Sequence, residues 1–165
     1  MGSDLKPEQL RAWRAFLDAQ ASVLRRLEAE LLAEEGMTLA EYDVLFQLRV
    51  AGDHQLRMTE LSQRVRLSRS GLTRLVDRLV KAGLVMRGHC ETDRRGTFAV
   101  LTPAGRDRVR RARPVHLRGV SRHFAERLSP IQLAAVADAL EPLGNDMRQA
   151  QASISREVRS AKLGS

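Results

Sequence analysis

The chain has 165 residues, 43% of them apolar, enough for one compact core or two small coupled parts. A net charge of +8 points to an acidic partner, while an aromatic content of 4% disfavours a stacking platform for single-stranded nucleic acid. The single cysteine, Cys90, excludes an intrachain disulfide, and no apolar run approaches the ~20 residues of a membrane span, so a cytoplasmic protein with no membrane partner is expected.

Pro7 suits the first turn of a helix. From there Leu10, Trp13, Leu17, Leu24, Leu27 and Leu31 recur at steps of three and four, Gln20 fills the one polar slot, and Gly36 ends the run. Such a stripe serves either the chain's own core or a second subunit. Thr38 and Glu41 form a capping box for a second helix, whose apolar face holds Leu39, Tyr42, Leu45, Phe46 and Leu48. It ends near Ala51-Gly52-Asp53, and after a loop Met58-Thr59 opens a short third helix with Leu61 and Val65 inward. Ser68 caps a fourth helix striped with Leu72, Leu75, Val76 and Leu79 and closed by Lys81-Ala82-Gly83.

Leu84 to His89 and Thr97 to Leu101 are rich enough in Val, Leu and Phe to pair as a hairpin around the polar loop Cys90 to Gly96. Thr102 caps and Pro103 opens a long helix to about Leu128, which Pro114 is expected to kink or locally break. Ser129-Pro130 starts a last helix that Pro142 and Gly144 interrupt, with helical character continuing to about Val158. This order predicts a mainly α (α+β) fold: a winged helix-turn-helix over 38–103, flanked by helical regions 7–36 and 104–158 in a separate packing layer.

The charge is uneven along that order. Residues 56–127 hold 18 Lys and Arg against 6 Asp and Glu, a net +12, and the remainder holds 10 against 14, a net −4. The basic character therefore belongs to the middle of the chain, as a nucleic-acid footprint or as a solvated arginine-rich face. Outside its apolar stripe the fourth helix carries Arg69, Ser70, Thr73, Arg74 and Arg78 after the capping Ser68. Arginine can grip guanine through two hydrogen bonds, and Ser and Thr can meet bases or phosphates, so the helix suits a major groove. Gly71 would allow close approach to DNA or to the third helix. In the loop, Asp93-Arg94-Arg95-Gly96 could place a long cationic side chain in a minor groove, with the aspartate holding its rotamer. The alternative is a turn aspartate beside solvated arginines.

Three segments in order resemble the MarR family of bacterial transcription regulators: Leu39-Ala40-Glu41-Tyr42-Asp43-Val44-Leu45; Leu67 to Leu79 followed by Ala82-Gly83-Leu84-Val85; and Asp93-Arg94-Arg95 leading to Leu101-Thr102-Pro103-Ala104-Gly105. The resemblance covers nearly the whole chain, and Asp-x-Arg followed by Leu-Thr-x-x-Gly is its most specific part. It implies a homodimer in which the N- and C-terminal helices form an intertwined dimerisation layer. The helix from Ser68 would be the recognition helix, Arg95 the minor-groove arginine, Asp93 its supporting acid and Arg94 a phosphate contact. It further implies a repressor that binds double-stranded DNA at pseudo-palindromic operators and is released by a small aromatic or phenolic effector, or by oxidation.

An effector pocket between the dimer helices and the reading domain would be lined by Trp13, Phe16, Gln20, Tyr42 and Phe46, with His116 on the long helix; the same residues also suit a core. Cys90 lies among arginines that favour a thiolate, yet the family's peroxide sensors place their cysteine near the N-terminus, so an incidental Cys90 is expected. His89-Cys90 lacks a second metal-ligand pair, and His116 and His123 are more simply solvated, so no metal and no cofactor are expected. No P-loop, dinucleotide fingerprint or nucleophile elbow is present, which argues against an enzyme. A basic RNA-associated module and a small-molecule binder with vestigial DNA affinity remain the competing readings.

Overall fold

A computed structural model describes residues 5–65, 67–90 and 93–144, with the backbone alone at 89, 90 and 93–96. In chain order come α1 (Pro7–Glu35), α2 (Leu39–Val50), β1 (Gln55–Arg57), α3 (Met58–Arg64), α4 (Arg69–Lys81), β2 (Val85–Cys90), β3 (Asp93–Leu101) and α5 (Pro103–His123). A 3₁₀ turn, Ala125–Arg127, leads to α6, residues 130–144.

Local chemistry sets most of the boundaries. Gly36, at φ +55°, ends α1 by donating its N–H to the last carbonyls of the helix. Thr38 Oγ1 then accepts from the Glu41 N–H at 3.2 Å while Glu41 Oε2 accepts from the Thr38 N–H at 2.9 Å, the reciprocal cap of α2. Glu28 reaches across from α1 to accept the Leu39 N–H at 2.6 Å, so both sides of the α1–α2 corner are tied. The capping threonine of α5, Thr102, accepts from the Gly105 N–H at 3.0 Å.

The core gathers α2, α3, α4 and the sheet around Leu45, Leu48, Leu61, Leu72 and Val76, all buried. It continues into α5 through Val109, Ala112 and Val115. α1 divides. Leu27 and Leu31 are buried, but Trp13 is 54% exposed, and Phe16, Leu17 and Leu24 are exposed with it. The C-terminal half of α1 is fastened to α5 by Glu35–Arg108 (2.5 Å), Glu34–Arg118 (2.6 Å) and Glu30–His123 (2.8 Å). Leu27 and Glu30 come so close to Gly119 that any side chain there would displace them.

Four sequence expectations are corrected. The hairpin is part of a three-stranded antiparallel sheet ordered β1-β3-β2, with Leu56 opposite Ala99 and Val85 opposite Leu101. A three-residue strand is too short for an alternation signal, and β1 forms only because β3 offers it an edge. The return strand starts at Asp93 rather than Thr97, with Asp93 opposite Cys90 and 94–96 in the register shift between that pair and His89–Thr97. α5 stops at His123 instead of near Leu128, and Pro114 lies inside it without breaking the helix. Pro114 is exposed, so the carbonyl that it leaves without a partner faces solvent. α6 continues past Pro142 as far as Gly144, the last described residue of the helix, and the expected helix to Val158 lies outside the described residues beyond 144.

Candidate nucleic-acid interface

α4 is amphipathic in the strict sense. Leu72, Leu75, Val76 and Leu79 are buried, while Arg69, Ser70, Thr73, Arg74, Asp77, Arg78 and Lys81 are exposed. The helix begins on Ser68, whose Oγ accepts the Gly71 N–H at 3.1 Å. That cap satisfies one of the first-turn donors and leaves the N–H groups of Arg69 and Ser70 pointing outward along the positive end of the helix. Ser70 Oγ lies 3.3 Å from Ser68 Oγ, and Thr73 Oγ1 donates to the Arg69 carbonyl at 3.0 Å. Both hydroxyls are therefore oriented on the exposed face and keep acceptor capacity. A side chain at Gly71 would meet only Ser68 Oγ, at 3.1 Å, so contact with the third helix is not what requires this glycine.

The charges of α4 are asymmetric. Arg69, Arg74 and Arg78 have no ion-pair partner among the described residues, whereas the single acid, Asp77, is held at 2.7 Å by Arg87 of β2. An acid on an anion-binding face would repel its ligand; pairing with Arg87 neutralises it and ties the wing strand to the C-terminal half of α4. The sequence reading missed this pair. Its one signal is that Asp77 is the lone acid of the helix, and nothing local points to a partner ten residues away. A second brace is Arg57 of β1, stacked 5.1 Å over the Phe98 ring of β3.

The wing residues Asp93, Arg94 and Arg95 have their backbone on β3, and their side chains, like that of Cys90, lie outside the described residues. β3 begins at Asp93, opposite Cys90, and Arg94 and Arg95 follow it on the strand before the pair His89–Thr97.

The six expected effector residues are spread over several places among the described residues. Tyr42 is buried in the core, stacked 4.4 Å from His116 and 5.9 Å from Phe46. Trp13 and Phe16 pair on the exposed half of α1, 6.1 Å apart. Phe16 and Gln20 line an apolar cleft of about 840 Å³ between α1 and the segment from His123 to Leu140. His116 lines a separate cleft of about 500 Å³ with Leu27, Asp43, Arg64 and Val65. Its Nδ1 is buried without a hydrogen-bond partner among the described residues, and burial pushes the imidazole below its ordinary range, against the opposing pull of Asp43. Burial likewise raises the Tyr42 phenol. Among the described residues no group of three or more His, Cys, Asp or Glu side chains is placed to hold a metal ion, and no helix is long and apolar enough to cross a membrane.

A family model described as MarR family matches residues 35–96. Sco3205, a MarR family transcriptional regulator from Streptomyces coelicolor solved in complex with DNA, is 32% identical, with 88% of this chain and 91% of that chain covered and a TM-score of 0.83. The chain belongs to the MarR family. AbsC, a MarR family regulator from the same organism, is 34% identical over 90% of this chain and 99% of its own, with a TM-score of 0.82. The HTH-type transcriptional repressor YetL of Bacillus subtilis is 33% identical over 89 residues, 54% of this chain, and the match spans about half (53%) of that protein. The molecule is thus a MarR-family transcriptional regulator with a winged helix, and α4 occupies the place of the helix that follows the turn. Families of this kind regulate transcription by binding DNA and are not enzymes.

Proposed function

We propose that this MarR-family regulator is a homodimeric repressor that binds a pseudo-palindromic operator through α4 and the wing. The observation that carries this reading is the exposed face of α4, where three arginines lack ion-pair partners among the described residues and the one acid is neutralised by Arg87. Arg69, Ser70, Thr73 and Arg74 read or position the major groove. Ser68 presents the helix start to a phosphate, and Arg78 and Arg94 hold phosphates. Arg95, held by Asp93, enters the minor groove. The named repressor function of the Bacillus subtilis relative and the DNA bound to the Streptomyces coelicolor relative support the assignment.

Residues 38–103 form the reading domain, and 7–36 with 104–158 form the dimerisation region. Support for the second statement comes from the apolar side chains left exposed on that layer: Trp13, Phe16, Leu17 and Leu24 on α1, then Phe124, Ile131 and Leu143 beyond α5. A second copy covers them and brings two reading heads to half-sites about one helical turn apart. A small aromatic or phenolic effector binds at the cleft beside His116, where α1, α2 and α5 meet, and biases the spacing of the heads.

The test is titration of a fluorescent operator duplex against Arg74→Ala at fixed salt. A loss of ~1–3 kcal/mol on the operator, with binding to scrambled duplex little changed, is expected for a base-reading arginine. An equal loss on both duplexes would assign Arg74 to phosphate contact instead.

A further inference from the structure

The strand that returns from the wing ends in a compact joint. Thr102 Oγ1 donates to the Gly83 carbonyl at 2.7 Å and accepts from the Gly105 N–H at 3.0 Å, and the Thr102 N–H donates to the Leu84 carbonyl at 3.2 Å. One hydroxyl proton and one lone pair are thus both used, between two different elements. Gly83, at φ +71°, is the residue that turns the chain out of α4, and the Leu84 N–H donates back to the Leu79 carbonyl of that helix at 2.9 Å. Gly105 is buried against the same turn. A Cβ built there would lie 2.1 Å from the Leu84 carbonyl oxygen and 3.0 Å from its carbon, and these are backbone atoms that cannot swing aside. One turn further along α5, Arg108 grips both the carboxylate and the backbone carbonyl of Glu35 at the end of α1.

We propose that Thr102 and Gly105 are positioning residues for operator recognition: they lock the first turn of α5 onto the end of α4, so that the direction of α5 sets the direction of the recognition helix. Neither residue lies on the exposed face of α4. The joint nevertheless leaves α4 no independent swing, since its C-terminal turn, the wing strand and α5 converge within four residues, Thr102 to Gly105. A rotation of α5 in the dimer layer is then delivered whole to the reading head instead of being absorbed by a flexible link. The proposal rests on the reading of α4 as the operator-reading helix.

The experiment compares Thr102→Val, Thr102→Ser and Gly105→Ala with the unmodified chain, and adds Val44→Ala, a buried α2 position away from the joint, as a control for stability alone. Each protein is titrated against its selected operator and against a scrambled duplex, at one salt concentration and at a temperature where circular dichroism finds all of them folded. The unmodified chain and Thr102→Ser, which keeps the hydroxyl, are expected to prefer the operator by about 10³-fold or more. Thr102→Val and Gly105→Ala are expected to lose tenfold or more of operator affinity while binding scrambled duplex within about twofold of the unmodified chain. Val44→Ala is expected to lower the melting temperature and leave the preference intact. If Gly105→Ala does not fold, the valine and serine pair decides alone. Unchanged operator preference in Thr102→Val, or an equal loss in Val44→Ala, would overturn the proposal. If the unmodified chain itself showed no preference, the reading of α4 would fail and the proposal with it, an outcome distinct from either of the others.

Discussion

The exposed face of α4 and the α1–α5 layer treat the same two residue types in opposite ways. On α4 the apolar side chains are buried and the arginines at 69, 74 and 78 are left without ion-pair partners among the described residues. Across the α1–α5 seam three arginines are paired, Arg108 with Glu35, Arg118 with Glu34 and Arg122 with Glu30, while Trp13, Phe16 and Leu17 stay exposed. Free cations over a satisfied core suit a polyanion, whose phosphates supply the missing partners. Satisfied cations beside bare apolar surface suit a protein, and the cheapest such partner is a second copy.

The largest effect should follow from attacking the apolar side of the comparison. Phe16→Glu places a charge in the exposed stripe and in the 840 Å³ cleft, and is expected to give monomers in sedimentation velocity. With one reading head per molecule, operator affinity should fall by about 10²-fold or more through loss of avidity. Next in size is the cationic side. Arg95→Ala should weaken operator binding by ~1–3 kcal/mol, the scale of a good groove contact, measured by fluorescence anisotropy at one salt. Arg78→Ala should weaken all duplexes alike and reduce the slope of log affinity against log salt by about 1, as one lost phosphate contact requires. By contrast, Arg118→Ala removes an exposed ion pair on the seam. It should change stability by no more than ~1 kcal/mol in urea titration and leave operator affinity within about twofold. A large loss of binding there would blur the division between the two regions.

The smallest effect concerns His116. Burial against Tyr42 holds its imidazole below the ordinary value of 6.5, while Asp43 pulls the other way. As pH falls through 6.5 the unfolded chain takes up this proton before the folded chain does, so stability is present above that pH and is lost below it. Glu30, lowered chiefly by its hydrogen bond to His123, loses its contribution in the same direction but only below its own ordinary 4.5. His116→Phe should therefore flatten the upper part of the decline in urea midpoints and leave the lower part, a difference that separates the two groups.

What was legible in the sequence was local. The Thr38–Glu41 cap, the Gly36 stop and the stripe of α4 each depend on residues within four positions of one another, where backbone geometry brings them together whatever the rest does. β1 was not legible, because its three residues become a strand only against Phe98 to Val100, more than forty positions on. The brace from Asp77 to Arg87 and the joint from Thr102 to Gly83 were hidden for the same reason. Pro114 and Pro142 do not break their helices, and both lie on exposed helix faces, where the carbonyl left without its donor can turn to water. The exposed residues of α4 were legible as a set, since removing the apolar stripe leaves them. The effector residues are dispersed among the described residues, with Tyr42 turned inward to the core and Phe16 and Gln20 lining a different cleft from His116.

The central claim is that two copies of the α4 face read a two-fold-symmetric site. Selection of bound duplexes from a random pool, followed by anisotropy titration of the recovered sequence against a scrambled one, tests it most directly. The account predicts a pseudo-palindrome with half-sites centred about 10 base pairs apart and bound about 10³-fold or more above the scrambled duplex. Recovery of no common motif, with both duplexes bound equally, would contradict it.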